Sequence, residues 1–219
     1  MFLVVVAIFG VVLALLLILQ VSLPVDSLSF RRPFIGALYS VVCVLGIVAV
    51  FYPSKCRLMF QKPKESSSFD NASSSSVQLS GHHPNCKNFS ANRIVIRGRA
   101  FCAACSGLLI GAIASIIGIL LLSLGLYGIE AGNIWIFAVG AVLMLVGLAQ
   151  IKLGGYIKVA VNALFVIGSG ISLIVADLVG QNLLLDAYVL GLIIYMLWLR
   201  ILLSEWNNRR ICMNCQLCS

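Results

Sequence analysis

Six apolar runs constrain this chain more than any other feature of its sequence. They are Phe2–Leu19, Phe34–Tyr52, Ala103–Leu126, Ile134–Ile151, Ile157–Leu178 and Leu183–Leu203. Each can cross a hydrocarbon core of about 30 Å, which takes roughly 20 helical residues. Because only 10% of the residues are charged and 61% are hydrophobic, too few charges remain to cover a water-soluble surface. The sequence therefore predicts an all-α integral membrane protein, a bundle of six transmembrane helices.

The basic residues are divided unevenly between the two sides that six helices define. Of the 15 Lys and Arg residues, only Arg31 and Arg32 fall on one side. An excess of Lys and Arg in short loops marks the cytoplasmic face. We therefore expect both termini, and the long loop between the second and third helices, to be cytoplasmic in a cell membrane. N-glycosylation needs an external acceptor, so the sequons at Asn71 and Asn88 in that loop are interpreted as chance matches.

Composition divides the chain into five parts. They are two N-terminal transmembrane helices (1–53), a basic and Ser-rich cytoplasmic linker (54–80), a His- and Cys-rich loop (81–106), a region of four transmembrane helices (103–204) and a Cys-rich cytoplasmic tail (205–219). The first run could be a signal peptide, but it lacks a basic n-region and exceeds the usual roughly 7–15 apolar residues. We therefore expect an anchored first helix. Within the loop, "RIVIRGRAF" alternates apolar and polar residues around an Arg-Gly-Arg turn and predicts a short β-hairpin.

The segment "GHHPNCKNFSANRIVIRGRAFCAACSG", residues 81–107, places His and Cys at the spacing of metal ligands. His82 or His83 forms one pair with Cys86, and Cys102-x2-Cys105 forms a second pair after 15 intervening residues, a connection of zinc-ribbon length. A loop of about 25 residues is too small for its own core and needs a metal or another staple. We therefore expect a small cytoplasmic Cys/His knuckle in which one zinc ion binds the three cysteines and one of the two histidines.

Alternatives to this zinc site stay open. The loop cysteines could hold another metal, carry out redox chemistry, or be ordinary reduced thiols near the membrane surface. A catalytic zinc is disfavoured, since it needs an open coordination position and a nearby general base. The nearest acidic residues in the loop, Glu65 and Asp70, lie in the Ser-rich linker. The sequence does not choose between His82 and His83.

The tail "RRICMNCQLCS" carries a second set of thiols, Cys212-x2-Cys215-x2-Cys218. The spacing is that of the first three ligands of a ferredoxin iron–sulfur run, but the fourth Cys and its Pro are missing. Cys56 could supply a fourth thiolate. The tail cysteines could also share the loop zinc, bind a second metal, carry palmitate near the membrane or stay as thiols. A disulfide framework needs an oxidising compartment, and the expected cytoplasmic location excludes it.

The helices themselves carry few polar residues. Gly107, Gly111 and Ser115 recur at four-residue spacing in the third run, which favours close helix packing in lipid. Cys43 is interpreted as a small buried hydrophobe. Polar side chains inside or beside the later runs are Gln150, Asn162, Asp177 and Asp186. We expect the two Asp residues near the outer surface and no charge at the bilayer centre, which disfavours an ion-coupled transporter.

The loop and the start of the third run resemble a prokaryotic family of integral membrane proteins, domain-of-unknown-function family 2085. The shared pattern is a His/Cys-Pro element followed by C-x2-C and a small-residue helix start, and the "HHP" form is most similar to archaeal members. The residues that carry it are His82, His83, Pro84, Cys86, Cys102, Cys105, Gly107 and Gly111. The resemblance covers residues 81–200. It implies a multi-helix membrane protein with a Cys/His site and implies no particular substrate.

The pattern of residues favours a non-enzymatic role. No P-loop, G-x-S-x-G, H-E-x-x-H or dinucleotide-binding glycine motif occurs, and the two histidines are both in the expected metal site. We therefore expect a structural zinc site that organises the helix bundle or docks a protein partner at the cytoplasmic face. The other hypotheses are a membrane enzyme or a thiol or metal redox protein at that face, or a small transporter. The net charge of +8 reflects membrane orientation, and no nucleic-acid partner is expected.

Overall fold

A computed structural model describes residues 2–19, 30–51, 79–80, 83–84, 87–96, 99–126 and 133–213. Six helices within these residues are long and apolar enough to cross a membrane, as predicted. They are α1 (Phe2–Leu19), α2 (Arg31–Phe51), α3 (Ala103–Ser123), α4 (Ile134–Leu148), α5 (Gly155–Gly180) and α6 (Leu183–Met213). A helix satisfies all of its backbone hydrogen bonds internally, which a lipid environment requires. The fold class is therefore confirmed for the helices, and their apolar surfaces indicate a bilayer environment.

The centre of the bundle is α5, which packs against α3 on one side and α4 on the other. Gly107 and Gly111 of α3 let the two backbones approach closely. A Cβ atom added at Gly111 would lie 2.7 Å from the carbonyl oxygen of Ala163, and one added at Gly107 would collide with the carbonyl oxygen of Val159. The predicted packing role of the small residues in α3 is confirmed, because no larger side chain fits between these helices.

A cluster of hydroxyl groups connects three helices midway along α5. The hydroxyls of Tyr39 from α2 and Ser115 from α3 both donate to the carbonyl oxygen of Val166, at 3.1 and 2.9 Å. Ser169 of α5 lies 2.9 Å from the Tyr39 hydroxyl. All three side chains are buried. Hydrogen bonds between helices therefore hold α2 and α3 to α5 where the apolar surfaces alone would allow sliding.

The described part of the long loop is built from short strands and one 3-10 helix. Strand β1 (Leu79–Ser80) pairs with β2 (His83–Pro84), and the 3-10 helix covers Lys87–Asn92. Strand β3 (Arg93–Ile96) then pairs antiparallel with β4 (Arg99–Cys102), with Arg93 opposite Cys102. The predicted β-hairpin is confirmed. We call the end of the bundle where α3 and α5 begin the loop end, and the other end, where α2 and α6 begin, the opposite end.

The last helix is longer than its apolar run predicts. It continues ten residues past Leu203, to Met213. Glu205 and Arg209 pair across one turn at 2.6 Å, and the guanidinium of Arg210 stacks on Trp206 at 3.9 Å from the ring centroid. These side-chain pairs stabilise a polar helix outside the apolar span. The first part of the predicted tail is thus helical.

Candidate site at the loop end of the bundle

Cys102 and Cys105 lie together where the hairpin meets the bundle. Cys102 is the last residue of β4 and the N-cap of α3, and Cys105 lies in the first helical turn. The two thiol groups are within hydrogen-bonding distance of each other. The hydroxyl of Ser106 donates to the carbonyl oxygen of Cys102 at 3.0 Å, which fixes the turn. The N–H groups at a helix N-terminus favour anionic sulfur, whereas burial and the adjacent thiol favour the neutral form of Cys105.

The remaining predicted ligands fall largely outside the described residues. The backbone of His83 is part of β2, but its side chain is not described, and the same is true of Cys212 in α6. His82, Cys86, Cys215 and Cys218 lie outside the described residues, as does Cys56. Among the side chains that the structure describes, no group of three or more His, Cys, Asp or Glu could hold a metal ion. The four-ligand zinc site therefore stays a prediction.

The hairpin region packs on the first two turns of α5. The ammonium group of Lys158 donates to the side-chain oxygen of Asn92 at 2.6 Å. The hydroxyl of Tyr156 donates to the carbonyl oxygen of Val95 at 3.4 Å. Of the hairpin side chains, Ile94 is buried. These contacts fix the position of Cys102 relative to α5, because β4 leads into α3 without an intervening residue.

Arg200 of α6 is buried beside the two thiols. Its Nη2 atom donates to the side-chain oxygen of Gln150 at 3.0 Å and to that of Asn162. The guanidinium also lies over the ring of Phe165, 5.3 Å from the centroid. Its charge interacts with the sulfur atoms of Cys105 and Cys102. Neutral groups thus hold the arginine in place, and the nearest groups able to carry negative charge among the described residues are the thiols.

Lys158 is the second buried cation at this end. Its side chain is 6% exposed, and besides the bond to Asn92 its charge interacts with Cys102. The side-chain amide of Asn162 donates to the backbone carbonyl of Lys158 at 2.5 Å, which connects the lysine to the arginine network. Both cations therefore belong to one buried polar cluster, which we call the loop-end cluster: Asn92, Gln150, Lys158, Asn162 and Arg200, together with Cys102 and Cys105.

The acidic side chains that the structure describes all have basic partners elsewhere. Asp177 and Asp186 lie at the opposite end and form ion pairs with Arg31, at 3.0 and 2.6 Å, and Arg32 lies 2.9 Å from Asp177. Glu205 pairs with Arg209 outside the apolar span. Within the described residues, two buried cations at the loop end are thus left without a carboxylate, whereas the four paired charges at the opposite end, including the half-exposed Arg32, sum to zero.

Sequence reasoning missed the cations of the loop-end cluster. Lys158 and Arg200 were expected as cytoplasmic charges that orient the helices, and the two Asp residues were expected near the outer surface. The structure instead buries Asp177, Asp186 and Arg200 inside the bundle, at 2%, 0% and 4% exposure. One signal was available for Arg200, because it lies inside the last apolar run with Ile201, Leu202 and Leu203 after it. A charge within such a run is a functional hypothesis by default.

The helical geometry of α6 also bears on the tail cysteines. A straight helix rises about 1.5 Å per residue, so the backbone of Cys212 lies about 18 Å beyond Arg200 along the axis. Since Arg200 lies beside Cys102 and Cys105, the helix carries Cys212 away from the loop-end cluster. This geometry favours a separate role for the tail over a share in the loop site.

No family model, curated protein or solved structure shows a significant match to this chain. The resemblance of residues 81–200 to a membrane-protein family therefore stays an expectation.

Proposed function

We propose that this chain is a multi-pass membrane protein whose loop end holds one zinc ion in a structural site. The ligands are Cys102 and Cys105, Cys86, and one of His82 and His83. The bound metal fastens the long loop to the helix bundle and presents the loop as a rigid surface to a partner at the cytoplasmic face. The observation that supports this proposal most is the burial of Lys158 and Arg200 beside two adjacent thiols.

The donor set suits the ion. Zinc is bound in proteins by thiolates and imidazoles in a closed tetrahedral shell when its role is structural. Three thiolates around one Zn²⁺ give the centre a net charge of −1, and buried cations nearby stabilise that charge. The C-x2-C pair at the start of α3 supplies two of the donors from one turn of backbone. The residues present therefore fit a thiolate-rich zinc site and offer no described carboxylate or histidine as a catalytic base.

Metal binding would also explain how the loop keeps its shape. Among its described side chains, the hairpin region contributes the buried apolar Ile94 and polar contacts from Asn92 and Val95 to α5. Such a small unit gains most of its stability from a bound metal, and binding and ordering are then coupled.

The decisive experiment is metal analysis of the detergent-purified protein and of matched cysteine variants. We expect one zinc per chain in the wild type and in Cys43→Ala, whose thiol is buried in α2. We expect loss of the zinc in Cys102→Ser, accompanied by new protease cleavage between Arg93 and Arg99 and unchanged insertion of the helices. Stoichiometric zinc in a variant that lacks both Cys102 and Cys105 would contradict the proposal.

A second candidate function follows from the contact between the two thiols. Cys102 and Cys105 form a C-x2-C pair at a helix N-terminus, the arrangement of thiol–disulfide exchange sites. This candidate predicts a reversible intramolecular disulfide between them in a protein that purifies without metal. The zinc site instead predicts that both thiols resist alkylation until a chelator removes the metal. Mass analysis of alkylated peptides, with and without chelator, separates the two functions.

A further inference from the structure

The two ends of the bundle differ in how their buried charges are compensated. At the opposite end, Arg31 and Arg32 are paired with Asp177 and Asp186, and the four charges sum to zero. At the loop end, Lys158 and Arg200 are buried, and the acceptors that hold them are the neutral side-chain oxygens of three amides, Asn92, Gln150 and Asn162. An amide oxygen satisfies a donor without cancelling its charge. The two buried cations of the loop-end cluster therefore contribute a charge of +2 that no described carboxylate offsets.

Burial makes this imbalance significant. Arg200 is 4% exposed, and its Nε atom is buried with no hydrogen-bond partner among the described residues. A buried charge is strongly unfavourable unless an opposite charge accompanies it, and more so at the level of a membrane. Among the described groups that can become negative, Cys102 interacts with both cations and Cys105 interacts with Arg200. A negative charge at the loop end offsets these buried cations.

We infer that Arg200 and Lys158 are specificity-determining counter-charges that make the loop-end cluster select a net-negative metal–thiolate centre over a neutral one. The inference deepens the proposed function and rests on it. Gln150 and Asn162 hold the Nη2 atom of Arg200, and its charge interacts with the thiols of Cys105 and Cys102. A centre with two thiolates and two imidazoles has no net charge and leaves both cations uncompensated. A centre with three thiolates compensates one cation, and one with four compensates both.

The sharpest test adds the missing carboxylate without changing the shape of the site. Gln150→Glu is nearly isosteric and places a negative charge on the atom that accepts from Arg200. In zinc-free protein this variant should melt at a higher temperature than the wild type, because a buried cation gains a partner. Its zinc affinity, measured by competition with a chelator, should fall about 10- to 100-fold, the range typical of changes to groups around the metal ligands. A merely structural role for Gln150 would not raise the melting temperature of the zinc-free protein and lower the zinc affinity at the same time.

Further variants test the same inference. Gln181→Glu makes the same chemical change on an exposed residue at the opposite end and should leave both quantities unchanged. Arg200→Lys keeps the charge and should retain zinc affinity within about tenfold, whereas Arg200→Met should lower it about as much as Gln150→Glu does. Should Arg200→Met fail to fold, the Gln150→Glu result decides alone.

The outcomes separate this inference from the proposed function. Wild-type protein that purifies without zinc and takes up none overturns the proposed function, and the inference falls with it. Wild-type protein that binds zinc, together with unchanged zinc affinity in Gln150→Glu, overturns the inference alone. A lower melting temperature of zinc-free Gln150→Glu also overturns it, because the loop end would then not lack negative charge.

Discussion

Arg31 and Asp186 are 155 residues apart in sequence, and their side chains form a buried 2.6 Å ion pair that connects the start of α2 to the start of α6. Asp177 joins the same guanidinium from α5 at 3.0 Å. One arginine thus ties three helices at the opposite end. At this end the pair joins α2 to α6, in addition to the Tyr39 hydrogen bond that holds α2 to the middle of α5.

Arg31→Met should destabilise the bundle by about 3–5 kcal/mol, because removing one partner leaves buried carboxylates without compensation. The free energy of unfolding in detergent measures this. Arg32→Met is the matched control: its side chain is 41% exposed and shares Asp177, so its loss should have a much smaller effect. Equal effects of the two substitutions would show that burial of the pair does not govern the stability of this end.

Gly107→Leu should separate α3 from α5, since even a Cβ atom at this position collides with the backbone of α5. We expect a loss of at least about 1–3 kcal/mol of stability, the usual effect of overpacking. The control is Gly46→Leu in α2, where nothing lies within 4 Å of an added Cβ atom. Melting curves of the two variants in the same detergent provide the comparison, and a stable Gly107→Leu protein would refute the close approach.

Much of the fold could be predicted because its signals are local. The apolar runs, the hairpin around Arg97-Gly98-Arg99 and the small residues of α3 each depend on a few neighbouring positions. The loop-end cluster could not be predicted in this way. Lys158 meets Asn92 across 66 residues, and Arg200 meets Gln150 across 50. Such distant partners decide whether a charged side chain near a helix end faces water or the interior. The uneven distribution of Lys and Arg therefore predicts the orientation of the helices but not which of these side chains are buried.

Any metal bound by the tail should occupy a site separate from the loop zinc, because α6 carries Cys212 about 18 Å beyond Arg200. Truncation after Arg210 should therefore leave the loop zinc in place and remove any additional metal. Metal analysis of the truncated protein, alone and combined with Cys102→Ser, distinguishes the two sites. Loss of the loop zinc on truncation alone would show that the tail folds back to the loop end.

The expected orientation places both termini and the loop end in the cytoplasm. In a variant whose native cysteines are replaced by Ala, a single cysteine at Ser74 should react with an impermeant maleimide only after cell lysis. A single cysteine at Ser27, on the side that holds Arg31, should react in intact cells. The reverse labelling pattern would show that the orientation in the membrane is opposite to the expected one.

The two histidines should differ in their contribution to the metal site. Because a tetrahedral shell with three thiolates has room for one imidazole, only one of His82→Ala and His83→Ala should release the zinc. Metal-to-protein ratios of the two variants identify the ligand. Full zinc retention in the double variant would show that a donor other than these two imidazoles completes the shell.

Cys102 ends strand β4 and caps helix α3, so no hinge residue separates the hairpin from the helix. The sulfur atom of this residue therefore moves with two rigid bodies at once. Gly107 lies about 7.5 Å further along the same helix, where α3 has no clearance against α5. Because residues 103–107 are helical, a rotation of Cys102 also changes the contact between Gly107 and the backbone of α5. The β4–α3 junction thus couples a displacement of the hairpin to the packing of α3 against α5 near the loop end of the bundle.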